Sequence, residues 1–234
     1  MVITKFGFTY EQPSLAKTGN VFSRAQGSRK NIERLIKNAG VVGFIEPNVA
    51  QTGVILDVDS LDVALALNPW NADYTKCDAL HVSKEFLKEN NFALFARSAD
   101  CMMLSLLSNQ DVYLLHLSVE SINNGILEHL KGINVRDDYL AIEGPCISAK
   151  EYYLYGDEYI ERKTGNYSKL GYMDKTFFDG KGLHVSIRDI ARSVLNEIGV
   201  SMVIKDKRCT FSDISLGSNR RQGTSRHDNV VIIK

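Results

Sequence analysis

Two residue types in this chain stand where they could do chemistry together. Cys101 closes the run Phe92-Ala-Leu-Phe-Ala96 through Ser98-Ala99-Asp100, and His116 closes the run Val112-Tyr-Leu-Leu115. If the two runs are neighbouring strands, a thiol and an imidazole meet at one sheet edge. That is the minimum for a transition-metal site or for a thiol nucleophile with its base. A metal demands a third ligand, and a nucleophile demands an oxyanion-stabilising group and a residue to orient the ring. Asp100, next to the thiol, is the first candidate for handling protons. The competing structural reading is that Cys101 is a small core hydrophobe, the commonest fate of a free cysteine.

Other segments could complete such a site. Glu143-Gly144-Pro145-Cys146-Ile147 reads as a strand end followed by a tight turn, where Gly144 lets the backbone pass close to a ligand. Ser218-Asn219-Arg220-Arg221-Gln222-Gly223-Thr224-Ser225-Arg226 sets three arginines ahead of a terminal apolar strand. Their guanidinium forks suit phosphate or carboxylate, or else tie down a neighbouring loop. His129 and His184 read as incidental, and His81, entering another strand after Asp78-Ala79-Leu80, points either into the site or away from it.

The elements that must position these residues alternate along the chain. Apolar residues at three- and four-residue spacing predict helices over 28–38, 119–130 and 187–197. Ser28 and Gly40 bound the first, Gly132 closes the second, and Ser186 with Asp189 opens the third as a capping box before Gly199. Short β-rich runs at 53–58, 92–96, 111–117, 139–142, 201–204 and 229–233 lie between them. Several are continuously apolar, as strands covered on both faces are, so a mixed sheet with helices outside is expected. The segment 150–181, rich in Tyr, Asp, Lys and Gly, shows no periodicity and reads as a long surface excursion able to cover a site.

Composition narrows the partners. The 234 residues, 44% hydrophobic, support one domain with a sizeable core, and 28 basic residues balance 28 acidic ones. No global field draws the chain to nucleic acid or an anionic membrane, so a small-molecule ligand is expected. No run approaches the roughly 20 apolar residues that span a bilayer, and the first residues form no apolar leader. A soluble cytoplasmic location is the expectation. Four scattered cysteines without a C-x-x-C pair are expected to be reduced.

Taken in order, Asp78-Ala79-Leu80, Ser98-Ala99-Asp100-Cys101, His116, Glu143 to Ile147, Cys209-Thr210 and Ser218 through Arg226 resemble the laccase-domain family, also called multicopper polyphenol oxidoreductase-like or peptidoglycan editing factor. The match in order and spacing runs over nearly the whole chain. The resemblance implies an α+β fold of two mixed sheets flanked by helices in four layers (α/β/β/α), shared with toxin deamidases that use a cysteine and a histidine. It implies zinc, rather than copper, held by two histidines and a cysteine, with Cys101 and His116 on two of those positions. It also implies phosphorolysis or deamination of purine nucleosides, or removal of a wrong amino acid from a cell-wall precursor. Ser98, Gly144, Arg220, Arg221 and Arg226 fall where substrate or phosphate would bind.

The chain departs from the family at three places. The family's Gln-Val-His-Gly is here within Glu46-Pro47-Asn48-Val49-Ala50-Gln51-Thr52-Gly53, without a histidine, which leaves His81, Asn48 or water as the third ligand. His-Ala-Gly-Trp-Arg-Gly becomes His116-Leu117-Ser118-Val119-Glu120-Ser121, so a basic residue turns acidic. The Asn-Arg pair of the first helix becomes Asn31-Ile32. Three readings follow: a nucleoside enzyme with a modified zinc site, a metal-independent Cys101–His116 amide hydrolase, and a binding protein that has lost catalysis.

Overall fold

The computed structural model describes residues 1–21, 27–68, 75–132, 139–223 and 228–234. In chain order the first half comprises β1 (Val2–Lys5), β2 (Phe8–Glu11), α1 (Leu15–Thr18), α2 (Ser28–Ala39), β3 (Gly43–Ile45), β4 (Ile55–Val58), α3 (Leu61–Ala66), β5 (Ala79–Ser83), α4 (Lys84–Asn90), β6 (Phe92–Ser98), β7 (Met102–Leu107) and β8 (Asp111–Leu117). The second half comprises α5 (Val119–Asn123), α6 (Ile126–Lys131), β9 (Leu140–Glu143), β10 (Tyr153–Leu154), α7 (Asp157–Thr164), α8 (Tyr167–Leu170), a 3-10 turn (Met173–Lys175), β11 (Thr176–Asp179), β12 (Gly182–Val185), α9 (Ile187–Glu197), β13 (Met202–Ile204), α10 (Asn219–Gln222) and β14 (Asn229–Ile233).

Two mixed sheets carry the molecule. One has the order β1-β2-β14-β6-β3 and the other β13-β9-β7-β8-β5-β4. Alternation of side chains along each strand sorts the apolar residues into three cores. Leu94, Ala96, Val231 and Ile233 of the first sheet pack on Leu80, Val82, Met103, Leu114 and Ile142 of the second, filling the space between the sheets. Phe44, Phe95 and Ile232 on the outer face of the first sheet meet Ile32 and Leu35 of α2. On the outer face of the second, Leu104, Leu115 and Ala141 meet Ile122 of α5, Leu127 of α6 and Ile190 and Val194 of α9. The order is therefore helix, sheet, sheet, helix, as the resemblance implies.

The local expectations hold in part. The first helix runs from Ser28 with Gly40 left-handed at its end, but Gly27 caps its start and Ser28 is already helical. The helix expected over 119–130 is broken at Asn124-Gly125, where Gly125 has φ 87° and starts α6. The third helix begins at Ser186, whose hydroxyl accepts the Asp189 N–H. The 150–181 segment is not structureless. It folds as β10, α7, α8, the 3-10 turn and β11, with β12 following directly, elements of two to eight residues, too short for periodicity to show. It is docked on α5 through Tyr167 Oη donating to the Val119 carbonyl (3.0 Å) and Asn166 N–H donating to Asn123 Oδ1 (2.8 Å).

One buried ion pair joins the second sheet to α9. Glu143, fully buried at the end of β9, receives two hydrogen bonds from the Arg192 guanidinium, at 2.7 and 2.6 Å. Removing one partner from such a pair strands a charge in low dielectric. Arg192→Leu is expected to cost about 3–5 kcal/mol in urea unfolding, and the Glu143→Leu/Arg192→Leu double variant to recover most of it. Equal losses in the single and double variants would mean that packing, not charge, holds this corner.

Candidate functional site

Cys101 and His116 do come to the same end of one sheet, by a different route from the one the sequence suggests. The run carrying Ala96 is β6 and belongs to the five-stranded sheet, whereas His116 ends β8 of the six-stranded sheet. The chain crosses between sheets at Ala99–Cys101, where Asp100 adopts φ 93°, and Cys101 immediately precedes β7. It is β7 that pairs with β8, setting Met102 opposite Leu117 and Met103 opposite His116. Cys101 thus lies one register step beyond that pair, half-buried at the mouth of the inter-sheet space.

The histidine sits in a row of four residues across the sheet. Its backbone N–H donates to the Asp78 carbonyl (2.8 Å), Met103 flanks it on β7, and Gly144 N–H donates to the Met103 carbonyl at 2.8 Å. A Cβ on Gly144 would stand 3.0 Å from that carbonyl oxygen, so glycine permits the close approach of β9 here. The imidazole is buried, its Nδ1 has no hydrogen-bond partner among the described residues, and burial pushes its pKa down to about 4 against a smaller opposing pull from Asp78. His116 is therefore a neutral imidazole at neutral pH.

Asp78 anchors the loop that replaces the family's histidine segment. Its carboxylate accepts hydrogen bonds from Ala50 N–H (3.2 Å), Gln51 N–H (2.7 Å), the Thr52 hydroxyl (3.1 Å) and Gly53 N–H (2.8 Å). Gly53 has φ 77°, and a Cβ there would lie 2.4 Å from the Asn124 carbonyl oxygen. The loop remains docked beside His116, with Cys77 N–H donating to the Asn48 carbonyl at 3.1 Å.

Both carboxylate oxygens of Asp100 are engaged in hydrogen bonds. One carboxylate oxygen accepts from the Thr210 hydroxyl (2.6 Å) and the other from Arg220 N–H (2.7 Å), while its backbone carbonyl accepts from Ile147 N–H (2.9 Å). Ser98 likewise serves the backbone, donating its hydroxyl to the Cys101 carbonyl at 2.6 Å. The two described arginines divide their work. Arg221 spends its guanidinium on the carbonyls of Thr210, Phe211, Asp213 and Leu216, at 2.5 to 3.2 Å, and so holds a loop. Arg220 is exposed, with its guanidinium over the rings of Tyr152 (5.2 Å) and Tyr153 (4.7 Å). Arg226 lies outside the described residues.

His81 does not join the site. It faces Tyr113 across β5 and β8, so strand alternation places it on the helix-covered face, opposite to His116. Its Nδ1 meets Asp57 (2.7 Å) and its Nε2 meets Asp111 (3.2 Å), and the ring stacks on Tyr113 at 4.1 Å. Burial alone would lower its pKa, but hydrogen bonds with Asp111 and Asp57 raise it. His129 is exposed on α6, and His184 is buried between Phe177 and the Ala149 carbonyl.

Sequence reasoning passed over Tyr152, on the segment assigned to surface. Its phenol is pushed above its ordinary range by burial first, with the Arg220 guanidinium, which lies over its ring at 5.2 Å, acting against that rise. It also passed over Cys209, whose sulfur accepts Ser148 N–H at 3.2 Å. Burial would raise that thiol, yet hydrogen bonds from Ser148 and Ser212 bring it below the ordinary cysteine value. Tyr152 belongs to no motif, and Cys209 enters only as part of the Cys209-Thr210 pair, with no role given to its thiol.

The donor set among the described residues does not fit a three-ligand zinc or a copper cluster; His227 lies outside them. Among the described residues no group of three or more His, Cys, Asp or Glu side chains converges on a metal position. The Asp78 carboxylate is filled by four donors, and His81 is on the other face.

The fold is similar to that of solved structures. A Neisseria meningitidis protein of the DUF152 family superposes with a TM-score of 0.75 at 17% identity, over 100% of this chain and 97% of that one. The hypothetical protein YfiH of Bacillus licheniformis gives 0.74 at 18% identity, covering 97% of this chain and 90% of its own. YlmD from Geobacillus stearothermophilus gives 0.74 at 17%, covering 97% and 89%. No curated protein matches the chain. No helix among the described residues is long and apolar enough to cross a membrane. The family model described as multi-copper polyphenol oxidoreductase laccase matches residues 20–234, and the chain belongs to that family.

Proposed function

We propose that this chain is a metal-independent hydrolase that breaks a C–N bond at an sp2 carbon of a small planar substrate, with Cys101 as nucleophile and His116 as base. The exocyclic amine of a purine nucleoside and the amide of a cell-wall precursor both belong to that class. One observation carries the reading: a neutral imidazole with an unpartnered Nδ1 beside the thiol's strand, with no third metal ligand among the described residues.

The steps use only groups at the site. His116 takes the Cys101 proton, and the imidazolium, unfavourable alone in a buried position, is stabilised by the thiolate formed with it. The thiolate adds to the substrate carbon, the C–N bond breaks, and ammonia or an amine leaves with the proton from His116. Water then adds to the thioester or thioimidate as His116 takes its proton. The C–S bond breaks and the thiol is restored. Arg220, braced on Tyr152 and Tyr153, offers a flat cationic wall for a planar ring. Phosphorolysis has less support, because Arg221 is committed to carbonyls and Glu120 stands where the family has a base.

Two outcomes test this. Ammonia release from adenosine and from an amide panel is expected to vanish in Cys101→Ala and to fall about 10²–10⁴-fold in His116→Gln. Chelator treatment should leave turnover unchanged in the parent chain, while loss on chelation with recovery on adding zinc would overturn the metal-free reading. An Asn48→His variant then gains zinc affinity only if the loop presents that position to Cys101 and His116.

The second outcome is thermodynamic. A histidine whose folded pKa is depressed binds its proton more readily when unfolded, so it destabilises the fold as pH drops from about 6.5 toward 4. Parent stability by urea unfolding should fall by about 2 kcal/mol more than that of His116→Gln between pH 7 and pH 5. Parallel pH curves would place His116 in a solvated setting and remove the neutral base.

A further inference from the structure

The three-stranded sheet within residues 153–185 has the order β10-β12-β11, which leaves one side of β11 unpaired among the described residues. The direction of each backbone group on that edge follows from the ladder. Ser186 N–H donates to the Lys175 carbonyl at 3.0 Å, and Thr176, Phe177, Phe178 and Asp179 face Val185, His184, Leu183 and Gly182 in turn. In an antiparallel ladder the bonded residues alternate, so Lys175, Phe177 and Asp179 bond toward β12 while Thr176 and Phe178 turn their peptide groups outward. Thr176 N–H is taken by the Met173 carbonyl. The Thr176 C=O and both groups of Phe178 point to the open edge. The edge is apolar as well, with Phe177 49% and Phe178 68% exposed. A flat, exposed, hydrophobic edge is a template for another strand.

We propose that this edge pairs with β11 of a second copy of the chain, antiparallel and centred on Phe177. Only outward-facing residues can bond across the new ladder, so the twofold axis falls on Thr176, Phe177 or Phe178. Charge favours one of the permitted registers, with Lys175 already beside Asp174 and the Asp179 carboxylate already beside His184 Nε2 (2.9 Å) within each chain. Centred on Phe177, the pairing sets Lys175 against the partner's Asp179, twice by symmetry. Centred on Phe178, it would set Lys175 against the partner's Lys181, and centred on Thr176 it would set Asp174 against the partner's Phe178. In the Phe177 register each Phe178 N–H donates to the partner's Thr176 carbonyl. The two Phe177 rings meet at the twofold axis as a non-hydrogen-bonded pair, the closer of the two spacings. This is an isologous contact that closes on itself.

The pairing also reaches the site. Phe177 stacks on His184 with ring centroids 4.5 Å apart, His184 meets Tyr153 at 5.6 Å, and Tyr153 carries the Arg220 guanidinium. A partner strand on β11 covers the open end of that stack and extends the sheet to six strands.

Sedimentation of the full chain over a wide concentration range is expected to show a reversible monomer–dimer equilibrium. Phe178→Pro keeps the β11–β12 ladder, because the lost N–H faces outward, and should weaken association by about tenfold or more. Register is read from cysteine variants treated with oxidised glutathione: Phe177→Cys should give a disulfide-linked dimer, and Phe178→Cys and the parent chain should not. A chain that stays monomeric at the highest concentration overturns the proposal and leaves the edge to an extended segment of another protein. A dimer that forms without Phe177→Cys cross-linking, or that survives Phe178→Pro undiminished, overturns it by placing the interface elsewhere.

Discussion

The buried carboxylate of Asp100 is the interaction on which the site depends. It stands where the chain leaves the first sheet for the second, at a φ of 93° that a residue with a side chain adopts at a cost of about 1–3 kcal/mol. The Thr210 hydroxyl and the Arg220 N–H offset that cost, since hydrogen bonds to a charged group contribute about 1.5–3 kcal/mol each. Three stretches distant in sequence, at 98–101, 146–147 and 209–220, are tied to one residue. The position of the Cys101 backbone, the start of α10 and the placement of Arg220 over its two tyrosines all follow from it.

Strand alternation then decides which side chains share a chamber. His116 and Asp78 face the inter-sheet space with Met103 and Gly144, while His81 and Tyr113, an odd number of positions away on the same strands, face the helices. No side-chain rotation carries a group through a sheet. The two histidines consequently have opposite electrostatics: burial without a paired carboxylate drives His116 toward the neutral form, and two carboxylates around His81 favour its charged form. β8 thus holds a neutral imidazole, His116, near one end and at the other the Asp111 carboxylate that pairs with His81 of β5.

Much of this is legible in the sequence, and the failures have physical causes. The strands at 111–117 and 229–233 and the helix at 187–197 were readable because their apolar runs are bounded by residues that cap or turn the chain. β7 was missed although it delivers Cys101. Met102-Met-Leu-Ser-Leu-Leu107 is buried on both faces, lacks β-branched residues and shows no alternation. The pair Cys101–His116 was found with the wrong neighbouring strand, because spacing cannot say to which of two sheets a strand belongs. Residue type identified Arg220 and Arg221 alike, yet one guanidinium is absorbed by four carbonyls and the other lies on two rings. That division depends on the loop conformation at 210–217.

The change of sign at Glu120 is answered elsewhere in the fold. Glu120, in the first turn of α5, pairs with the Lys163 ammonium from α7, and the same ammonium reaches Gln51 Oε1 at 3.4 Å. Gln51 belongs to the loop gathered by Asp78, and its carbonyl accepts from the Asn124 amide at 2.6 Å. The acid that replaced a basic residue therefore clamps the 150–181 segment against the loop that lost its histidine. Two departures from the family pattern that look independent in sequence meet in one ion pair. A cation directed at an internal carboxylate is not available to a phosphate. At this corner the sign change is answered by an internal ion pair, so the cation of the site that stays exposed is the Arg220 guanidinium over Tyr152 and Tyr153.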